Sequence, residues 1–283
     1  MRKSLITTAV LGALASSSLA LADEAKSDIE VAYNVGLYSQ YIFRGLTQTD
    51  KMPALQGGVD ITHSSGFYLG AWGSNISWAR AKYGPGTTDS SESFYSKGGN
   101  LEMDIYGGFR TELSGIGIDL GALQYYYPGT ETGRGTGAGY AKINTTELYG
   151  AINYKWAQAK ISGVVSKDAW GWGKIGSPAT GDDGRGAYYA ELNFNPPISE
   201  LLGVKDGLAS GVTGIIHIAR QEFPDSLDYA SYTDYKLGLQ KAFDSGVNVG
   251  AYWTKANTKD SAWTYDGRNI GDSTGTAYIQ KTF

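Results

Sequence analysis

The chain contains no cysteine, which excludes a disulfide scaffold, a thiolate-held zinc or iron–sulfur centre and a thiol nucleophile. Two histidines, His63 and His217, are all it has for imidazole chemistry. Proline is scarce at 7 of 283 residues and charged residues make up only 18%, so disorder driven by proline or charge does not fit. Basic residues (24) do not outnumber acidic ones (28), and a formal charge of −4 lacks the basic surface that a phosphate backbone requires, so no nucleic-acid partner is expected. Beyond the N-terminus there is no long apolar run, hence no helical membrane span. Glycine (40) and tyrosine (21) are abundant instead, a pairing typical of β-structure with tight turns.

Residues 1–22 differ from the rest. Arg2 and Lys3 precede an apolar run from Leu5 to Leu14, a small-residue stretch follows, and Ala20-Leu21-Ala22 stands before Asp23. This is the pattern of a secretory signal peptide with an A-x-A-type cleavage site; Ser16 to Ser18 interrupt the run before it could span a bilayer. Cleavage leaves one domain, 23–283, and the loss of Arg2 and Lys3 moves the side-chain charge from −4 to −6. The exported product is then periplasmic, secreted or embedded in an outer membrane.

Within 23–283 the dominant signal is two-residue alternation over segments of about ten residues, the period of a strand with two unlike faces. Ile29, Val31, Tyr33, Val35 and Leu37 alternate with Glu30, Ala32, Asn34 and Gly36; Leu101, Met103, Ile105 and Phe109 alternate with Glu102, Asp104, Tyr106 and Arg110. Strands are predicted at 28–43, 53–63, 67–78, 99–110, 116–127, 143–155, 159–168, 186–195, 210–221, 232–243, 247–257 and 273–283. A β-sandwich alternates too, but connection lengths separate the two folds. Short turns such as Ser64-Ser65-Gly66, Thr111 to Gly115, Trp156-Ala157-Gln158 and Asp244-Ser245-Gly246 follow even-numbered strands, with one long exception at Pro196 to Ala209. Long Gly, Ser, Thr and Asp-rich connections follow odd ones. The layout is an all-β, antiparallel up-and-down transmembrane barrel of about twelve strands with both termini on the short-turn side, and closure leaves lipid no open sheet edge.

The placement of charge agrees, because a charge at mid-bilayer on the lipid face costs roughly 2–4 kcal/mol and much less near an interface. Arg220, Lys255, Lys241 and Lys281 stand on apolar rows but at strand ends, where long side chains snorkel. Tyr41, Phe43, Trp78, Tyr126, Tyr127, Trp156, Trp170, Trp172, Phe243 and Trp253 also gather at strand ends, as expected of interfacial girdles. A soluble sandwich would scatter its charges instead. The terminal Phe283 closes an alternating strand like the carboxy-terminal insertion signal of outer-membrane proteins, which implies the outer-membrane assembly machinery as a partner; Lys281 departs from that pattern.

A family resemblance emerges from Asn34-Val35-Gly36-Leu37, Tyr41-Ile42-Phe43-Arg44-Gly45-Leu46-Thr47-Gln48-Thr49, Ala54-Leu55-Gln56-Gly57-Gly58 and Gly66-Phe67-Tyr68-Leu69-Gly70-Ala71-Trp72-Gly73-Ser74-Asn75, with Glu102-Met103-Asp104-Ile105-Tyr106-Gly107-Gly108 further on. In order and spacing these resemble the TorF-type porin family over roughly the first third of the chain. The resemblance implies an outer-membrane barrel of poorly defined activity and supplies no substrate or catalytic residue.

Rows opposite the apolar ones would line the lumen. They carry Glu30, Asp60, Glu102, Asp104, Asp119, Glu147, Glu191 and Asp234 against Arg44, Arg110, Lys160 and Lys236, with His217 also pointing inward. An excess of acids predicts a water-filled path for small polar solutes with a mild cation preference; charges that pair across the lumen would instead give a closed structural or ligand-binding barrel. Tyr38, Tyr106, Tyr125 and Tyr189 face inward, as packing filler in preference to a sugar-stacking slide. A hydrolase would need a histidine beside a nucleophile and an acid. His63 falls by a periplasmic turn and His217 reads as a hydrogen-bonded lumen residue, so no enzyme, catalytic residue, metal or cofactor is expected. The run Gly133, Gly135, Gly137 and Gly139 lacks a strand-to-helix context. Asp89-Ser90-Ser91-Glu92 and Asp182-Asp183-Gly184 lack a complete calcium ligand set. Ile198 to Leu202 is predicted to form one helical turn after Pro196-Pro197.

Overall fold

Each alternating segment pairs with its neighbours in sequence, and the last returns to the first. The computed structural model describes residues 27–80, 95–131, 143–172 and 183–283. Its wall strands are β1 Ile29–Tyr38, β2 Ala54–His63, β3 Phe67–Asn75, β4 Leu101–Leu113, β5 Ile116–Tyr126, β6 Thr145–Tyr154, β7 Ala157–Val164, β8 Tyr188–Phe194, β9 Val212–Glu222, β10 Tyr232–Ala242, β11 Val247–Ala256 and β12 Thr274–Thr282. They form one closed antiparallel barrel. The seam is a ladder from Asn34 opposite Thr282 to Tyr38 opposite Tyr278, and Phe283 extends it by donating to the Tyr33 carbonyl at 2.8 Å. Among the described residues no helix is long and apolar enough to cross a membrane.

Polarity is inverted relative to a soluble protein. On β1, Ile29, Val31, Tyr33, Val35 and Leu37 point out and are exposed, whereas inward Asn34 and Tyr38 are only 7% and 5% exposed. Ile105, Leu120, Ile152, Ile161, Leu237 and Ile279 continue the outward apolar surface round the barrel. Such a surface belongs in acyl chains, and closure satisfies the backbone without water.

The glycine and tyrosine content has a packing cause beyond turns. Tyr106 stands opposite Gly70 and Tyr68 opposite Gly108, Tyr149 opposite Gly121 and Tyr278 opposite Gly250. A Cβ on Gly70, Gly121 or Gly250 would lie 2.4, 2.5 or 2.6 Å from the facing ring, and one on Gly108 would lie 2.7 Å from the Tyr68 hydroxyl. The inward tyrosines therefore lie across the neighbouring strand, and glycine leaves the floor for them.

Several boundaries depart from the periodicity. The first strand stops at Tyr38 and not at 43, because Ile42–Phe43 pairs with Leu46–Thr47 in a separate short hairpin. The third stops at Asn75, with Trp78 in a 3-10 turn, and the seventh stops at Val164, whereas β4 runs on to Leu113. Ala157 and Gln158 belong to β7, so the turn before it is only Lys155-Trp156. The helical turn after Pro197 is present as Ile198–Leu201. The 1–22 leader, the Gly133 to Gly139 run, Asp89 to Glu92 and Asp182 lie outside the described residues.

The aromatic girdle is also smaller than expected. Tyr126, Trp156, Phe243 and Trp253 are exposed, but Tyr41, Trp78, Tyr127, Trp170 and Trp172 are buried inside the long-loop end. There Trp172 packs on Trp263 with ring centroids 5.3 Å apart, Trp78 on Tyr127 at 5.3 Å and Trp170 on Phe43 at 5.7 Å. Inward parity at Tyr127 and infolding of the long connections bring these rings together.

The tyrosine-on-glycine packing gives a direct expectation. Gly70→Ala places a methyl group in the Tyr106 ring and should lower barrel stability by about 1–3 kcal/mol, measured by urea unfolding in lipid vesicles. Gly275→Ala, where no atom lies within 4 Å of the added Cβ, should cost nothing measurable.

Candidate functional site

The connection between β1 and β2 turns into the lumen. At its tip Arg44 (φ +47°) and Gly45 (φ +78°) both take left-handed conformations, the pair required by a two-residue turn whose twist matches its strands. Gly45 is also forced by contact, since a Cβ there would lie 2.5 Å from the Asp234 Cβ. The tip thus abuts the wall at β10.

Arg44 pins the hairpin to the far wall. Its two terminal nitrogens donate to Glu147 Oε1 and Oε2 at 2.9 and 2.8 Å, and one also donates to Gln221 Oε1 at 2.9 Å. The guanidinium lies 4.3 Å from the Tyr189 ring centre and 5.0 Å from that of Trp170. Tyr125 adds a hydroxyl donor to Glu147 at 3.1 Å, and Tyr41 donates to Glu102 at 2.6 Å. The Arg44 and Glu147 side chains are 4% and 1% exposed, so the pair is desolvated and bidentate.

Beneath the hairpin lies a cavity of about 140 Å³ bounded by Tyr41 to Gly45 and by the walls of β3 to β10. Three polar networks surround it. Arg110 pairs with Asp119 at 3.1 Å, which also accepts from the Tyr68 hydroxyl at 2.7 Å. Tyr106 donates to Asp60 at 2.7 Å. Tyr189 donates to Asp234 Oδ2 at 2.8 Å, while His217 bridges Asp234 Oδ1 at 3.1 Å and Asn193 Oδ1 at 2.6 Å. Asn193 in turn donates to Glu191 at 2.9 Å. Lys160 and Lys236 stand over the rings of Tyr149 and Tyr252, at 4.4 and 4.9 Å.

Of the inward residues expected from the sequence, Asp104, Arg110, Asp119, Lys160, Glu191, His217, Asp234 and Lys236 meet at this one cavity together with Arg44. Arg44 reaches it from the hairpin and not from a wall strand. Glu102 and Glu147 are buried at the hairpin's anchors, Asp60 holds Tyr106, and Glu30 is exposed at the turn-side mouth, away from the narrow section. Trp72, Gln158 and Asn193 also line the cavity and Gln221 holds Arg44, none of them among the residues expected from the sequence. The first three were readable from inward parity, while Gln221 becomes meaningful only once Arg44 crosses the lumen. Among the described residues no group of three His, Cys, Asp or Glu side chains has the spacing to hold a metal ion.

An apolar exterior, a closed ladder and a polar interior define a transmembrane β-barrel with an internally constricted lumen. Residues 22–283 match the model of a family described as a bacterial protein of unknown function (Gcw_chp), and the chain belongs to that family. No protein of curated function matches its sequence. Among solved structures it is similar to the KdgM porin (7% identity over 89% of this chain and 98% of that one, TM-score 0.43). It is also similar to the NanC porin (9%, 90% and 99%, 0.45) and to Acinetobacter baumannii OccAB1 (12%, 92% and 66%, 0.42).

The pinning pair can be tested by a mutant cycle. Arg44→Met alone strands a buried carboxylate and should cost about 3–5 kcal/mol. Arg44→Met with Glu147→Leu should recover most of that loss in equilibrium unfolding.

Proposed function

We propose that the protein is an outer-membrane, porin-like barrel that passes small polar solutes through a lumen narrowed by the Ile42–Thr47 hairpin. The observation that carries this reading is the charged cavity inside a closed, externally apolar wall. Channel interiors select by rings of charge lining the narrow section. Here Arg44 and Arg110 are matched by Glu147 and Asp119. Glu102, Asp104, Glu191 and Asp234 remain against Lys160 and Lys236, which favours cations mildly. The similarity of the N-terminal motifs to TorF-type porins points the same way. Export with loss of residues 1–22 and insertion through Phe283 complete the proposal.

A second reading, a closed structural or ligand-binding barrel, is favoured by the buried Arg44–Glu147 pair and by the aromatic layer around Trp172 and Trp263. Planar-bilayer recordings of the purified mature chain distinguish the two. The channel reading expects discrete, weakly cation-selective conductance that increases in Arg44→Ala, and a reversal potential that moves toward zero in Glu102→Gln/Asp104→Asn. Silence of both the wild type and Arg44→Ala would establish the closed barrel instead.

A further inference from the structure

Among the described residues, three charged side chains that face the cavity, Asp104, Lys160 and Lys236, have no ion-pair partner. Asp104 on β4 is 6% exposed and, among the described residues, no donor reaches its Oδ1. Its neighbours are engaged elsewhere: Tyr41 donates to Glu102 and Arg44 to Glu147. A buried carboxylate oxygen with no donor is costly, so this position calls for a cationic hydrogen-bond donor from a ligand. Tyr41 and Trp72, packed edge to face at 5.4 Å, line the same corner, and aromatic faces suit an ammonium group.

On the other wall, Lys236 lies over Tyr252 and, among the described residues, has no carboxylate within the 4.0 Å of an ion pair. Asp234 is held by Tyr189 and His217, and Glu191 by Asn193. Lys160, over Tyr149, is likewise without an ion pair.

Register places the two ends opposite each other. The ladder joins Arg110 on β4 through Asp119, Ala151, Lys160, Glu191 and Ala219 to Asp234 on β10. Followed right round, it returns to its starting strand shifted by about sixteen residues, the stagger that closes a tilted barrel. Halfway round, a point of equal height therefore lies about eight residues toward the turns from the register partner. That sets Arg110 level with Ala242, and so Asp104 level with Lys236 on the diametrically opposite strand.

We propose that this cavity binds a short zwitterion lengthwise, with its ammonium on Asp104 beside Tyr41 and Trp72 and its carboxylate on Lys236, assisted by Lys160. Barrel diameter sets the length. A backbone diameter of roughly 24 Å, less about 10 Å of side chain and about 6 Å of two hydrogen bonds, leaves about 8 Å between the charged ends. An extended peptide of two or three residues spans that distance at about 3.5 Å per residue. The cavity of about 140 Å³ has room for several waters, which the peptide would displace. The proposal deepens the channel reading by naming a solute class.

The test is calorimetric titration of the mature full chain in detergent with triglycine, N-acetyltriglycine and triglycine amide. Triglycine should bind at least about tenfold more tightly than either capped form, because each cap deletes one charged hydrogen bond. Asp104→Asn should lower triglycine affinity to that of the acetylated peptide, and Lys236→Met to that of the amide, with heat-modifiable electrophoretic mobility reporting that each variant is folded. The wild-type comparison of the three peptides stands even if a variant fails to fold. Absent triglycine binding, or equal binding of all three peptides, would overturn the site. Binding needs no conductance, so a barrel that discriminates but is silent in bilayers overturns only the channel reading, and one that conducts without discriminating overturns only this inference.

Discussion

The structure depends on one constraint: inside a bilayer each backbone amide and carbonyl must find its partner within the protein. The β1–β12 ladder meets it by joining the ends of the chain, from Asn34 opposite Thr282 to Tyr38 opposite Tyr278. Once the sheet closes, each strand has an inside and an outside, and the outside must be apolar. Polar and charged residues then have one place to go, and burial there obliges them to satisfy one another. Asp119 between Arg110 and Tyr68, and Asp234 between Tyr189 and His217, are consequences of that confinement.

The Arg44–Glu147 pair illustrates which effect prevails. A buried ion pair contributes little net stability compared with an apolar replacement, yet breaking it from one side is expensive. Its value here is positional. It fixes a hairpin that would otherwise gain only a few backbone hydrogen bonds, and the flanking rings of Phe43, Trp170 and Tyr189 hold the guanidinium in one orientation. Infolding of the long connections likewise takes Tyr41, Trp78, Trp170 and Trp172 away from the membrane interface and packs the long-loop end with them.

The wall was legible because lipid outside and water inside impose a period of two with few exceptions, and β4 shows it from Leu101 to Phe109. Alternation also placed most of the inward charges on the correct row. It failed where the chain leaves the wall. Tyr41 and Phe43 keep the outward parity of β1, but Ser39 falls on the apolar row and Ile42 on the polar one, so the alternation already breaks there; that break and the Arg44-Gly45 turn were the available clues. Trp170 and Trp172 depend on how a long connection folds back, which is a tertiary fact. Tyr127 is different, since its inward parity next to outward Tyr126 was readable from the sequence.

The hairpin springs from the seam strand, but its anchors, Glu147 and Gln221, lie 103 and 177 residues away along the chain. Neither anchor exists in position until the intervening strands have curled toward one another. Arg44 can therefore reach them only across a wall that already has its curvature, and the contact ties the first connection to strands β6 and β9 on the far side of the lumen.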